Sequence, residues 1–436
     1  MTDETDTISP PAIDAEAHHK LMEQLSAIGG GPGGALTRLA LSEEDRLARD
    51  WLAGWMKAAG LRLEVDAIGN MFGFLDWAGS DAPRIMTGSH IDSQPNGGRF
   101  DGSYGVVAAC SAIEAIQRKV RETGITPKAN FILANWTNEE GARFQPSVLG
   151  SGVHSREHTL QFALTRKDAD GITVGEALNR IGYAGSAESV IPDALIELHI
   201  EGASFLENAG RRFGAVDRFW GATKYRVAFI GRQAHTGPTP MAERRDAVLA
   251  AAYLISDVKA IADKGGLDMH TSVGRLEVYP NSPNVVPREA VLFIELRSPE
   301  PDLLASAEEE LKAAMQEAAR RARVEVEVRS IDRRKAGRFD ADLFRLAEET
   351  AAALGEATMR LDSIAGHDTV AMASVTKGLV INVPSVGGVM HHPKEFTTPD
   401  DRAFGVQVLA GMLWRFCLEG PGLIRCRSKL SNVASG

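Results

Sequence analysis

The feature that most constrains the fold is an alternation of short apolar runs with a helical pattern between residues 84 and 140. Segments 84–88 and 131–136 have the composition of short buried strands, and apolar residues recur at helical spacing from Val106 to Val120. Residues 194–200 form a third strand-like run. Strands separated by helices indicate an α/β fold with a mostly parallel sheet that is covered on both faces. In such sheets, functional residues gather at the carboxyl ends of the strands.

The central part of the chain follows a different pattern. Strand-like and helical segments occur there in the order β-α-β-β-α-β, over residues 224–230, 245–263, 271–279, 289–297, 301–323 and 324–328. This order is typical of a ferredoxin-like module. We therefore predict a discontinuous catalytic domain over residues 12–211 and 332–422, with an inserted ferredoxin-like α+β domain over residues 212–331.

Charge and cysteine content limit the partners and the compartment. The 48 Lys and Arg residues against 58 Asp and Glu residues give a net charge of −10, whereas nucleic-acid binders carry a basic face. This negative charge also disfavours anionic membrane surfaces. Three scattered cysteines and an acidic start, MTDETDTISPPA, are not typical of a secreted disulfide scaffold. We expect a cytoplasmic protein without a nucleic-acid or membrane partner.

Four polar segments follow or include strand-like runs and concentrate histidine and carboxylate side chains. They are GSHIDSQPNGGRFDGSYG (88–105), NWTNEEGARF (135–144), ELHIEG (197–202) and GGVMHHPKEFTTPD (387–400). Nitrogen and oxygen ligands without cysteine suit Zn, Mn, Co or Ni. Two ions bridged by a carboxylate would use such a set, although the spacing forms no local motif.

Each segment also has an ordinary structural interpretation. His90 and Asp92 could belong to a polar surface loop. Glu139 and Glu140 could form a solvated acidic turn, although adjacent carboxylates repel each other unless a cation lies nearby. His199 could be a hydrogen-bonded histidine of the core.

The four segments, together with GRQAHTGPTPMAERRDA, PNSPNVVP and AGHD, resemble the hydantoinase/carbamoylase branch of the di-zinc amidohydrolases. The resemblance runs in family order over about residues 20–418, and it extends to aminoacylase and the glutamate carboxypeptidases. It implies hydrolysis of the carbamoyl C–N bond of N-carbamoyl amino acids or related ureido acids, which releases amino acid, CO2 and ammonia. It also implies two divalent metal ions per subunit (Zn, or Mn, Co or Ni), a small substrate with a carboxylate, and a homodimer formed through the inserted lid domain.

The resemblance further implies roles for individual residues. Asp101 would bridge the two ions. His90 and His199 would bind one ion, and Glu140 and His391 would bind the other.

Other residues would support the reaction around these ligands. By the same resemblance, Asp92 would orient His90, and Glu139 would be the general base. His235 of the lid domain would stabilise the oxyanion in the active site of the partner subunit. The residues expected at the substrate are Asn284, Arg297 and His367. Alternatively, His235 could be a turn histidine, and Arg297 could pair with Glu295.

Two departures from the family leave the substrate open. Gly202 stands where the family commonly has a glutamine near the substrate, and Met390 stands where it commonly has a serine. An N-acyl amino acid or dipeptide amidohydrolase with the same ions is therefore an alternative function. A non-catalytic ligand-binding dimer is a remote alternative, because a binding protein need not keep Glu139 together with a full ligand set.

Overall fold

The computed structural model describes residues 9–423, which form two compact units. The first unit contains the described residues up to Asp217, the segment Phe339–Leu361, and the described residues from Gly366 onward. The second unit contains Arg218–Arg338 and Asp362–Ala365. Cys110 and Cys417 are buried free cysteines, and Cys426 lies outside the described residues. No helix between residues 9 and 423 combines the length and apolarity needed to cross a membrane.

The strands and helices alternate along most of the chain. The strands are β1 (Arg62–Val65), β2 (Met71–Leu75), β3 (Arg84–His90), β4 (Asn130–Trp136), β5 (Ala194–Ile200), β6 (Gly214–Phe219), β7 (Gly221–Ile230), β8 (Ala234–His235), β9 (His270–Tyr279), β10 (Val285–Val286), β11 (Glu289–Ser298), β12 (Glu325–Arg334), β13 (Gly337–Arg338), β14 (Met359–Ser363) and β15 (Lys377–Val383). The α-helices are α1 (Ala15–Ala27), α2 (Glu43–Ala58), α3 (Ser103–Thr123), α4 (Leu149–His154), α5 (Leu160–Leu164), α6 (Val174–Ile181), α7 (Phe205–Asn208), α8 (Ala247–Gly265), α9 (Pro301–Ala322), α10 (Ala341–Ala353), α11 (Asp368–Met372) and α12 (Pro399–Glu419).

The main sheet of the first unit has the strand order β1-β2-β4-β3-β5-β15-β6. Its centre is parallel, because β3 pairs with β4 and β5, and β15 pairs with β5, all in parallel. The outer strands are antiparallel. Every residue of β2, β4 and β5 is buried, so both faces of the sheet are covered. The predicted α/β fold with a doubly covered sheet is confirmed.

The parallel strands determine where the polar segments emerge. Strands β3, β4, β5 and β15 end at His90, Trp136, Ile200 and Val383. Because parallel strands point the same way, the chain leaves all four at one edge of the sheet. Helix α3 packs on β3, β4 and β5, and α11 packs on β5 and β15. The loops at this edge therefore rest on a rigid framework.

The second unit is built around a four-stranded antiparallel sheet with the order β12-β7-β11-β9. Helices α8 and α9 pack against this sheet, and their apolar residues form one core with it. The chain order β7-α8-β9-β11-α9-β12 has the ferredoxin-like pattern expected from the sequence. Strands β8 and β10 form a separate two-stranded sheet.

One histidine near the start of the chain departs from expectation. Its position predicts a solvated side chain, yet His18 on α1 is only 2% exposed. Its Nδ1 lies 3.0 Å from Oγ of Ser111, and its ring contacts the ring of Tyr104 edge-on. The reason is that α1 packs on α3, which buries this face of the helix.

Candidate metal centre

Asp101 lies at the centre of the candidate site, on the loop between β3 and α3. Its Oδ1 lies 3.3 Å from Nε2 of His199 and 3.8 Å from Nε2 of His90. Its Oδ2 lies 3.0 Å from Nε2 of His391. That nitrogen in turn lies 3.3 Å from Oε2 of Glu140. One buried carboxylate thus has two imidazoles next to one of its oxygens, and an imidazole with a neighbouring glutamate next to the other.

These separations, from 3.0 to 3.8 Å, are close to those of donor atoms that share an ion. Bonds of about 2.0–2.2 Å in a tetrahedral zinc site put two donor atoms roughly 3.3–3.6 Å apart. The donor atoms form one group of His90, Asp101 and His199 and a second group of Asp101, Glu140 and His391. Imidazole and carboxylate donors suit Zn, Mn, Co or Ni. The residues present therefore fit two divalent ions that share Asp101.

Main-chain carbonyl groups orient two of the imidazoles. Nδ1 of His90 donates to the carbonyl oxygen of Asp92 at 2.9 Å, and Nδ1 of His199 donates to that of Ile200 at 3.0 Å. Since a carbonyl oxygen only accepts hydrogen bonds, Nδ1 carries the proton in both neutral rings. In the neutral rings the Nε2 lone pairs would then be available to an ion, and that of His199 also accepts the N–H of Gly102 at 3.2 Å.

The carboxylate of Asp92 contributes differently from the expectation. Its Oδ1 is 3.7 Å from Nδ1 of His90, and the shorter contact to that ring is made by the Asp92 carbonyl oxygen. The two carboxylate oxygens accept the backbone N–H groups of Glu139 and Glu140, at 3.2 and 3.3 Å. Asp92 therefore supports His90 through its main chain and supports the two glutamates through its side chain.

Gly102 shows why the loop before α3 requires glycine. Its φ is +61°, which is a conformation that other residues rarely adopt. A Cβ atom at this position would lie 2.3 Å from Cε1 of His90. The residue thus allows the chain to turn into α3 directly beneath the imidazole of a candidate ligand.

Glu139 follows β4 after a turn at Asn138, whose φ of +57° is left-handed. Glu139 is 8% exposed, and its Oε2 lies 3.4 Å from Nε2 of His90. Burial, followed by the negative charges of Asp368 and Glu140, raises the pKa of Glu139 well above its usual range. A nearby divalent cation would favour the ionised form of this carboxyl group. This position and environment suit a residue that exchanges a proton beside the ions.

Without an ion, two histidines of the site have raised pKa values. The hydrogen bond to Asp101, followed by that to Glu140, raises the pKa of His391 to about 11. For His199, burial lowers the pKa, but the hydrogen bond and charge of Asp101 outweigh it and bring the pKa to about 9. Ligation requires the neutral imidazole, so ion binding at neutral pH displaces these protons.

His367 lies beside the first group of donors. It is 5% exposed, and its ring centroid is 4.7 Å from that of His199. Burial, together with the charge of His199, lowers the pKa of His367 to about 3, so the ring is neutral. Together with Glu197, these two histidines form a third group of donors that could hold an ion.

Glu197 has other partners and was not singled out from the sequence. Its Oε1 accepts from Oγ of Ser89 at 2.7 Å, and its Oε2 accepts the backbone N–H and the hydroxyl of Thr369 at 3.0 and 2.7 Å. These hydrogen bonds fix it as a support between β3, β5 and α11. The sequence feature that could have identified it is a glutamate within the otherwise apolar run that precedes His199.

Arg38 is a second residue that sequence patterns did not indicate. Its guanidinium is fully buried. It donates to the carbonyl oxygen of Ile91 at 2.6 Å and to Oγ of Ser103 at 2.7 Å. Ile91 lies between His90 and Asp92, and Ser103 follows the loop that carries Asp101. No local pattern distinguishes this arginine, because its partners come from distant segments.

The remaining predicted residues belong to the second unit. His235 is exposed on β8, opposite Val285 of β10, and its Nδ1 accepts the backbone N–H of Gly237 at 3.0 Å. Asn284 is close in space, because its carbonyl oxygen accepts the N–H of Thr236 at 3.3 Å.

Arg297 lies on β11 and is already paired. Its Nη2 donates to Oε2 of Glu295 at 3.0 Å, and its Nη1 donates to the carbonyl oxygen of Ile364. The pairing with Glu295 is the alternative that the sequence left open for this arginine.

Gly202 and Met390 lie against each other next to two candidate ligands. Gly202 follows β5 shortly after His199, and Met390 precedes His391. A Cβ atom at Gly202 would lie 2.8 Å from Sδ of Met390. The thioether thus occupies the space that a side chain at position 202 would need.

Residues 86–415 match the model of peptidase family M20/M25/M40, and the chain belongs to this family. Within it, the chain is a member of the hydantoinase/carbamoylase amidases and is an amidohydrolase. A crystal structure of an amidase of that group from Burkholderia vietnamiensis superposes with a TM-score of 0.89 at 36% identity, over 93% of this chain and 98% of the other.

Curated relatives agree on the class of enzyme and differ in substrate. A protein of Mycolicibacterium smegmatis, named only as a hydrolase, is 41% identical over 91% of this chain and 92% of its own length. The N-carbamoyl-L-amino-acid amidohydrolase of Rhizobium meliloti is 35% identical, over 91% and 95%. The allantoate amidohydrolase of Bacillus subtilis is 30% identical, over 90% and 96%.

Proposed function

We propose that this chain hydrolyses the carbamoyl C–N bond of N-carbamoyl amino acids or related ureido acids and releases amino acid, CO2 and ammonia. The observation that carries the proposal is Asp101, whose two oxygens each lie near a separate set of donors. The names of the relatives, which are ureido and carbamoyl hydrolases, support the substrate class. The proposed ligands of two divalent ions are His90, Asp101, Glu140, His199 and His391.

In the proposed reaction, Glu139 moves the protons. Divalent ions held at this centre would supply Lewis acidity to the attacking water and to the scissile carbonyl group. Glu139 takes the proton of the water through its carboxylate and then delivers it to the leaving nitrogen. Its contact with Nε2 of His90 supports this role, because it lies beside the first group of donors.

The second unit completes the proposed active site in a homodimer. His235 donates a hydrogen bond from Nε2 to the developing oxyanion in the partner subunit's site. Its exposed ring supports this role, and so does the bond from Gly237, which leaves the proton on Nε2. Asn284 and Arg297 bind the substrate carboxylate. When the substrate binds, Arg297 gives up its ion pair with the carboxylate of Glu295 and forms an equivalent one with the substrate carboxylate.

The contact between Gly202 and Met390 favours a second candidate function. A thioether offers an apolar surface without the hydrogen bonds that a ureido group requires. An N-acyl amino acid would place its alkyl chain on such a surface. The second candidate is therefore an N-acyl amino acid amidohydrolase with the same ions and the same base.

Ammonia release from a substrate panel tests the proposal. The panel contains N-carbamoyl-L-amino acids, N-carbamoyl-β-alanine and allantoate, together with N-acetyl amino acids, whose hydrolysis is followed by the release of acetate. Each is assayed with metal-free protein and with protein loaded with Zn, Mn, Co or Ni. We expect metal-dependent ammonia release from at least one ureido acid. Turnover of only the acetylated compounds by folded, metal-loaded protein would replace the first function with the second.

A further inference from the structure

Glu395 is a buried carboxylate with an unusual position between two loops of the candidate centre. It lies four residues after His391 and is 4% exposed. Its Oε1 accepts the backbone N–H groups of Phe100 and Asp101, at 2.8 and 3.1 Å. One side chain from the loop that carries His391 therefore binds the main chain of the residue that lies between both groups of donors.

The loop that carries Asp101 is closely packed on this carboxylate. A Cβ atom at Gly98 would lie 2.0 Å from Cδ and 2.2 Å from both carboxyl oxygens of Glu395. Glycine at position 98 thus lets the main chain approach the carboxyl group directly. Any displacement of Glu395 would leave two backbone donors of this loop without their acceptor.

The second oxygen of this carboxylate is buried without a partner. Within residues 9–423, the buried Oε2 of Glu395 has no hydrogen-bond partner. An unpaired buried polar atom is unfavourable, and it calls for an explanation such as a functional constraint. Among the described residues, the Glu395 carboxylate accepts hydrogen bonds from the backbone of Phe100 and Asp101 alone.

We propose that Glu395 is a positioning residue that holds Asp101 in the orientation in which its two oxygens reach both ions. It would thereby join the loop of His391 to the loop of Asp101 and make occupancy of the two ion sites interdependent. This inference rests on the proposed metal centre. It adds to that proposal a residue that binds no ion itself.

The test is zinc binding to metal-free protein, measured as stoichiometry and affinity by competition with a chromophoric chelator. We expect wild-type protein to bind two ions. E395A should lose about 10–100-fold in affinity and bind the ions in two separate steps. E395Q keeps an oxygen acceptor at the same place and should bind two ions within about threefold of wild type. E395D has a shorter side chain that withdraws the acceptor, so its zinc binding should resemble that of E395A. If E395A does not fold, E395D provides the test.

Glu201 provides the matched control. It is also buried, at 3% exposed, and accepts two backbone N–H groups, those of Phe205 and Leu206 at 3.1 and 2.9 Å. E201A therefore removes a comparable pair of hydrogen bonds from the start of α7, which carries no proposed ligand, and it should still bind two ions. Unchanged affinity in folded E395A or E395D, or equal losses in E395A and E201A, would overturn the inference. Wild-type protein that binds no zinc would instead overturn the metal centre itself.

Discussion

Nε of Arg38 donates a 2.6 Å hydrogen bond to the carbonyl oxygen of Ile91 from a position with no solvent exposure. The same guanidinium donates to the carbonyl oxygens of Leu25 and Ile28, both at 2.8 Å, and to Oγ of Ser103 at 2.7 Å. One buried cation thus connects α1, the end of β3 and the start of α3. This links the stability of the first unit to the shape of the candidate centre.

Replacing Arg38 with methionine should destabilise the metal-free protein by at least about 3 kcal/mol. The reason is that the variant leaves several buried acceptors unpaired, each at a cost of about 1–3 kcal/mol. The measurement is urea unfolding with both variants at the same pH. Arg62→Met is the control, because Arg62 pairs with Glu64 and Asp76 while its side chain is 55% exposed, and such pairs contribute about 0–1 kcal/mol. Similar losses in the two variants would contradict the prediction.

His18 should make stability depend on pH below neutrality. Burial, followed by the charge of Arg402, lowers its pKa from 6.5 to about 3. A lowered pKa means that the folded state binds fewer protons than the unfolded state. The contribution is therefore complete above pH 6.5 and is lost as the pH falls toward 3. Between pH 7.5 and pH 5 the loss from this residue should be about 2 kcal/mol.

The His18→Asn variant isolates this effect. Asparagine can still bond to Oγ of Ser111 but does not titrate in this range. We expect the variant to be less stable than wild type at pH 7.5 and to lose about 2 kcal/mol less on acidification to pH 5. Every other titrating group is shared, so it cancels in the comparison. Parallel stability curves for the two proteins would show that His18 is not the group responsible.

The sequence predicted the elements whose pattern is local. Strand β5 begins and ends where its apolar run does, and β3, β4 and α3 extend their predicted cores by a few residues. The hairpin of β1 and β2 was not predicted, because β2 is defined by its antiparallel pairing with β4, far along the chain.

The residue pattern pointed to the four polar segments of the candidate centre, but the roles of individual residues were predicted only through the resemblance. Its donors come from four separate segments, and the spacing between them carries no geometric information until the sheet order is known. The contacts of Arg38, Glu197 and Glu395 depend on the same long-range packing. For His18 the prediction was wrong. Its place near the start of the chain predicted a solvated side chain, whereas the packing of α1 on α3 buries it.

Replacing Glu139 with glutamine should separate catalysis from ion binding. Glutamine has the size of glutamate but cannot accept and return a proton, so kcat should fall by about 10²–10⁴-fold. The variant should still bind two ions, since Glu139 is outside both groups of donors next to Asp101. Metal content and kcat are measured on the same preparation.

Glu140→Gln is the matched comparison for this prediction. Glu140 belongs to the second group of donors, so this variant should lose ion affinity together with activity. A Glu139→Gln protein that retains both ions and nearly full activity would exclude Glu139 as the base. Loss of ions in Glu139→Gln to the same degree as in Glu140→Gln would instead make Glu139 a ligand.

The last prediction concerns substrate choice and follows from the 2.8 Å approach between a Cβ atom at Gly202 and Sδ of Met390. Gly202→Gln alone should displace the thioether and destabilise the protein by about 1–3 kcal/mol, as overpacking does. Met390→Ser removes the obstacle, so the double variant should recover most of this stability. A double-mutant cycle in urea unfolding measures the coupling, and simple additivity of the two changes would show that the side chains do not compete for this space.

A carboxamide that fits beside His391 can hydrogen-bond to a ureido group, whereas the thioether cannot. The ratio of kcat/KM for N-carbamoyl over N-acetyl substrates should therefore rise by about tenfold or more in the double variant. Met390→Ser alone is the control, because it removes the thioether without adding the carboxamide.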